Sequence, residues 1–163
     1  PQALAFVAGR QMAYLKGGLY LRHLVPTGSG LRAWLLAAIK SAVPQFPVPG
    51  DLAGAVNEHL AAFKQHLSGP QQETLRSLVS KLLSAAPELD LKRWTAAVDL
   101  TADRLGLVLA NDLEIATAVV RASPEESSAV PQKDRLRELH LYSVSEQYLT
   151  LRHKIGIAIG DER

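Results

Sequence analysis

A chain of 163 residues is long enough for one domain that buries roughly 70% of the surface its unfolded form exposes. Cys is 0, which excludes disulfides, thiolate zinc sites and cysteine nucleophiles. The net charge is only +2 and its Lys and Arg are scattered rather than striped, which argues against nucleic acid; no apolar run reaches the ~18 residues that span a bilayer.

Strand signals are scarce and 3.6-residue periodicity is nearly everywhere. The expected fold class is therefore all-α, a single compact domain over residues 1–163 with about eight helices around a buried N-terminal helix. That first helix covers about residues 2–16 and stops at Gly17-Gly18. Ala3, Leu4, Phe6, Val7, Ala8, Met12, Ala13 and Leu15 leave it no wide polar face, the pattern of a helix in the middle of a domain. Gly9 permits a close approach to the helix expected over about residues 90–110. Arg10 is the anomaly: it either snorkels to water at the helix edge or is paired.

A short helical or irregular piece from Leu19 to Val25 leads into the loop Pro26 to Gly30. The next helix, about 30–43, places Leu31, Trp34, Leu35, Ala38 and Ile39 on one face. Pro44 to Gly50 holds three prolines and makes a rigid connector. Asp51 caps a helix to about Leu67 with Leu52, Val56, Leu60 and Phe63 inward. Ser68 and Pro70 open another to about Ala86, with an apolar stripe of Leu75, Leu78, Val79, Leu82 and Leu83. Residues 51–86 read as a helical-hairpin insertion.

Asp90 caps the long helix through about Ala110, and Asn111-Asp112 begins a shorter one to about Ala122. Ser123 to Val130 is polar and proline-bounded, an expected mobile loop. Two last helices follow, about 132–142 and 144–159, the second entered through the capping box Ser143-Val144-Ser145-Glu146. The start at Pro1 without Met reads as a piece of a longer protein.

Few residues carry recognisable chemistry. His59 and His66 share a helix face, but about 10.5 Å of rise separates them, too far for one zinc ion. Gly28-Ser29-Gly30 lacks the spacing and preceding strand of a serine-hydrolase elbow, and no phosphate-cradling glycine loop occurs. Asp99 and Asp103, at i and i+4, form the acid pair worth weighing. Two like charges on one face need a cation if the site is dry, and Arg10 is the candidate; the alternative is two solvated aspartates near Lys92 or Arg104.

Phe6 to Leu15 has the register of a zinc-peptidase H-E-x-x-H helix with Arg10, Gln11 and Tyr14 in place of the two histidines and the glutamate. Downstream, Asp99, Ala102, Asp103, Arg104 and Gly106 match a pattern E-x-x-A-D-R-x-G, with Asp99 one methylene shorter than the ligand glutamate. A third piece, Pro131 to Leu139, places a proline before a helix with arginines and spaced leucines. Together these resemble the gluzincin metallopeptidases related to the CAAX prenyl protease and the HtpX-type proteases; residues from about 23 to 90 carry no family motif.

The resemblance implies a peptidase-like fold whose metal ligands are lost, with Arg10, Gln11, Tyr14, Asp99 and Asp103 as the vestigial site. It implies no catalytic residue, metal or cofactor. The expected function is a non-catalytic, bacterial-type, cytoplasmic module in protein binding or scaffolding, recognising its partner through an apolar groove left by the old substrate cleft. The alternatives are a hydrolase or lyase using Asp99 or Asp103 as an acid–base group, and a structural domain supporting neighbouring repeats.

Overall fold

In a computed structural model that describes residues 1–85, 90–124 and 128–157, the protein is all-α. Among the described residues there are nine α-helices, one 3-10 turn and no strand. In chain order the helices are α1 (Gln2–Tyr14), α2 (Tyr20–Leu24), α3 (Gly28–Ala42), α4 (Ala53–His66), α5 (Gly69–Ala85), α6 (Leu91–Ala110), α7 (Leu113–Ala122), α8 (Gln132–Ser143) and α9 (Glu146–Lys154). None is long and apolar enough to cross a membrane. Residue 86, at the end of the expected hairpin, and residues 158–159, at the end of the expected last helix, lie outside the described residues.

The chain forms two compact units. The first is built from two separate stretches, Pro1–Leu24 and Lys92–Arg163, and the second is the continuous stretch Val25–Leu91. α4 and α5, the helices of the hairpin expected at about 51–86, lie within the second unit.

In the second unit α3 packs on α4 and α5. Thr27 caps α3, its side chain accepting from the Gly30 N–H at 3.1 Å. Ala33, Leu36 and Ala37 of α3 meet Leu52 and Val56 in a compact core that Phe46, Leu60 and Phe63 flank. Trp34 and Leu35 are half-buried, so the inward face of α3 is rotated toward Ala33, Leu36 and Ala37 from the one the pattern predicted. Asp51 does not cap α4. It sits in the 3-10 turn Gly50–Leu52, and Leu52 precedes α4 with no side-chain cap. Leu78, expected in the apolar stripe of α5, is exposed.

The first unit is organised by α6. Thr95, Val98, Asp99, Ala102, Asp103, Gly106, Leu107 and Ala110 are buried at intervals of three and four, so one continuous face of this helix is inward. Leu107 and Val108 join Phe6, Ala116, Val120, Leu139 and Tyr148 in the core shared by α1, α6, α7, α8 and α9. Asn111 takes a left-handed φ of 51° between α6 and α7. Asp112 then caps α7, accepting from the Ile115 N–H at 2.9 Å. Ser145, not Ser143, caps α9 through the Tyr148 N–H. Ser143 is the last residue of α8, and its hydroxyl donates back to the His140 carbonyl.

The N-terminal helix is not buried all round. Phe6, Gly9 and Ala13 face inward, while Leu4 (73%), Val7 (44%), Met12 (53%) and Leu15 (80%) are exposed. Apolar composition on every side predicts a central position. The helix instead presents one apolar stripe to α6 and α7 and a second to the surface.

Candidate functional site: a buried acid pair held by three arginines

The site grows from a glycine contact. A Cβ built on Gly9 of α1 would lie 2.8 Å from Gly106 Cα, and one on Gly106 would lie 2.8 Å from the Phe6 carbonyl oxygen. Only glycine at both places lets the two backbones meet. That approach puts Arg10, the residue after Gly9, beside Asp103, three residues before Gly106. Asp103 and Asp99 are one turn apart on the inward face of α6, each 0% exposed.

Each carboxylate has its own bidentate arginine. Arg22 of α2 donates to Asp99 from Nε and Nη2, both at 3.2 Å. Arg135 of α8 donates to Asp103 from Nε at 2.7 Å and Nη2 at 2.9 Å. Both guanidinium groups are buried. The fork matches the carboxylate in plane, which gives paired charge-assisted bonds rather than a point contact.

Asp99 Oδ2 also accepts from the Ser128 hydroxyl at 3.0 Å and the Ala129 N–H at 2.6 Å. The segment expected to be a mobile loop thus contributes two donors to the site, and its residues 125–127 lie outside the described ones. Arg10 Nε lies 2.8 Å from Asp103 Oδ1, with its side chain 14% exposed. Its N–H is not aligned on that oxygen, so the contact is an ion pair without a formed hydrogen bond.

Of the five residues predicted to form the site, Arg10, Tyr14, Asp99 and Asp103 come together. Tyr14, one turn after Arg10, is half-buried and stacks on His23 with ring centroids 5.8 Å apart. Burial, and then the nearby Asp99 charge, push its phenol above the usual 10.0. Gln11 does not belong: neighbouring helix positions point about 100° apart, and with Arg10 inward Gln11 is exposed. The expected pairing of Arg10 with the acid pair is present at Asp103 only. Arg104, offered as a neighbour of solvated aspartates, instead pairs with Glu138 and lies over the Tyr142 ring, 5.3 Å from its centroid.

The pattern missed Arg22, Arg135, Ser128 and Ala129. Arg135 lies in the third peptidase-like piece and Arg22 stands alone in a short apolar segment, which were the available signals.

The donor set does not fit a catalytic zinc. Such a site needs three protein ligands with free lone pairs, but arginine has none to give, and the carboxylates are already engaged by Arg22, Arg135, Ser128 and Ala129. Among the described residues no three His, Asp or Glu side chains converge.

Tyr14 sets an alkaline limit. Its phenol titrates at higher pH in the folded chain than in the unfolded one, so its contribution to stability is complete below pH 10.0 and is lost as pH rises through the folded value. Urea unfolding across that range should show stability falling less steeply with pH for Tyr14→Phe than for the wild type. Parallel pH profiles would remove Tyr14 from the site's electrostatics.

No family model, curated protein or solved structure matches this chain.

Proposed function

We propose that the chain is a non-catalytic, peptidase-like helical module that binds a protein partner through the outer face of α1. The exposed stripe carries this reading: Leu4, Val7, Met12 and Leu15, with Ala8 and Gln11 between them, stand at the surface without a charged side chain among them. Leu4, Ala8, Gln11 and Leu15 follow the 4-3-4 spacing of a helix-packing seam, so the partner surface that fits is another apolar helix face. Contiguous apolar patches of this kind mark interaction surfaces.

The acid pair supports the non-catalytic half. A general acid or base has to reach a substrate proton, and Asp99 and Asp103 are fully buried and spent on arginines and loop donors. The surface implicated is the outer side of α1, not a groove at the old cleft. A cytoplasmic setting belongs to the same proposal, since a chain with Cys 0 has no disulfide to lose there.

Leu4→Lys with Leu15→Lys tests the reading. Both side chains already stand in water, so the unfolding temperature should hold. Proteins from the native host retained by immobilised wild-type chain should be lost from the variant. The same set retained by both columns would sink the proposal.

A further inference from the structure

The second unit contains a cavity with chemistry unrelated to the acid pair. The last turns of α3 and α4 and the middle of α5 enclose an open cavity of about 370 Å³. Leu60, Phe63 and Leu75 give it apolar walls, and Lys40, Lys64 and Arg76 line it with cations. No lining residue is acidic. Arg76 makes one long, exposed contact with Glu73 at 3.5 Å, while Lys40 and Lys64 make no ion pair among the described residues. Lys40 and Lys64 sit where helix C-termini favour cations, which fixes their sign without neutralising them.

We propose that this cavity binds a small amphiphilic anion, an acyl chain ending in a carboxylate. The head lies among Lys40, Lys64 and Arg76, and the chain covers the half-buried surfaces of Leu60, Phe63 and Leu75. The volume falls in the lower part of the range of small-molecule sites, and the lining has their usual form of an apolar wall with a few charged groups. Charge complementarity selects the head: Lys40 and Lys64 face no carboxylate and Arg76 meets only the exposed Glu73, so an anion gains what a cation of equal length loses. This inference is independent of the α1 surface.

The site has a built-in reporter. Trp34 packs against Phe63 with ring centroids 5.3 Å apart and stacks on His59 at 3.9 Å, so a chain seated on Phe63 perturbs the Trp34 indole. The test is an NMR titration of the full chain with decanoate below its micellar concentration, with Trp94→Phe used to assign the Trp34 indole signal. Saturable one-site shifts at that indole and in α3, α4 and α5 are expected. Decyltrimethylammonium, with the same tail and the opposite charge, should bind at least about tenfold more weakly. Lys40→Met with Lys64→Met should weaken decanoate by about tenfold or more, and Lys40→Glu with Lys64→Glu should reverse the preference between the two amphiphiles. Equal binding of both head groups, non-saturating shifts spread over α1, or no shift at millimolar decanoate would each overturn the assignment. The head-group comparison uses the unmodified chain, so it decides the question even if a charge variant fails to fold.

Discussion

Arg135→Met should lower the free energy of unfolding by about 3–5 kcal/mol, the cost of removing one partner from a buried ion pair. Arg135 is 2% exposed and Asp103 0%, so water cannot replace the lost guanidinium. Arg10 remains, but its contact with Asp103 is a single unaligned approach at 2.8 Å and cannot supply the missing fork. For the same reason Arg10→Met should cost less, about 1 kcal/mol, because Asp103 keeps both bonds from Arg135. The loss for Asp103→Leu combined with Arg135→Met should be well short of the sum of the single losses, since an apolar pair of similar volume leaves no charge stranded between α6 and α8 and only the 14% exposed Arg10 loses its ion pair. Urea unfolding of the four chains measures this coupling directly. An Arg135→Met chain within about 0.5 kcal/mol of wild type would mean that the pair is not buried in solution.

Gly9→Ala should destabilise by about 1–3 kcal/mol, although the same change in an ordinary helix interior is favourable by about 1 kcal/mol. The new methyl would meet Gly106 Cα and the Leu105 carbonyl oxygen, each at 2.8 Å. Both are backbone atoms of α6 and cannot swing aside, so the helices must separate. Separation also draws Arg10 from Asp103. Chemical unfolding gives the sign at once: a neutral or stabilised Gly9→Ala chain contradicts the close packing of α1 on α6.

Local chemistry was readable in the sequence and long-range pairing was not. The Asp112 cap rests on a neighbour three residues away, the scale at which sequence pattern operates, whereas Thr27 and Gly28, which cap and begin α3, fall in the segment expected to be loop. The i and i+4 placement of Asp99 and Asp103 on one inward face was legible for the same reason. Their main partners lie 77 and 32 residues away, at Arg22 and Arg135, and no local rule connects such positions. Ser128 and Ala129 looked like loop because their role is to donate to Asp99 and not to build an element. The position of α1 is hard to read from sequence for a different reason. Apolar residues all round a helix describe a helix with neighbours on every side and equally one with a neighbour on one side and an exposed apolar stripe on the other. Leu4, Val7, Met12 and Leu15 decide between these only once their exposure is known.

Arginines neutralise the acid pair of α6. Calorimetric titration of the purified chain with zinc, paired with the unfolding temperature before and after EDTA, tests this most directly. No saturable zinc binding and an unchanged unfolding temperature are expected, because the carboxylates are already held by Arg22, Arg135 and Arg10. One equivalent of zinc bound per chain, with stability lost on its removal, would contradict neutralisation by arginine.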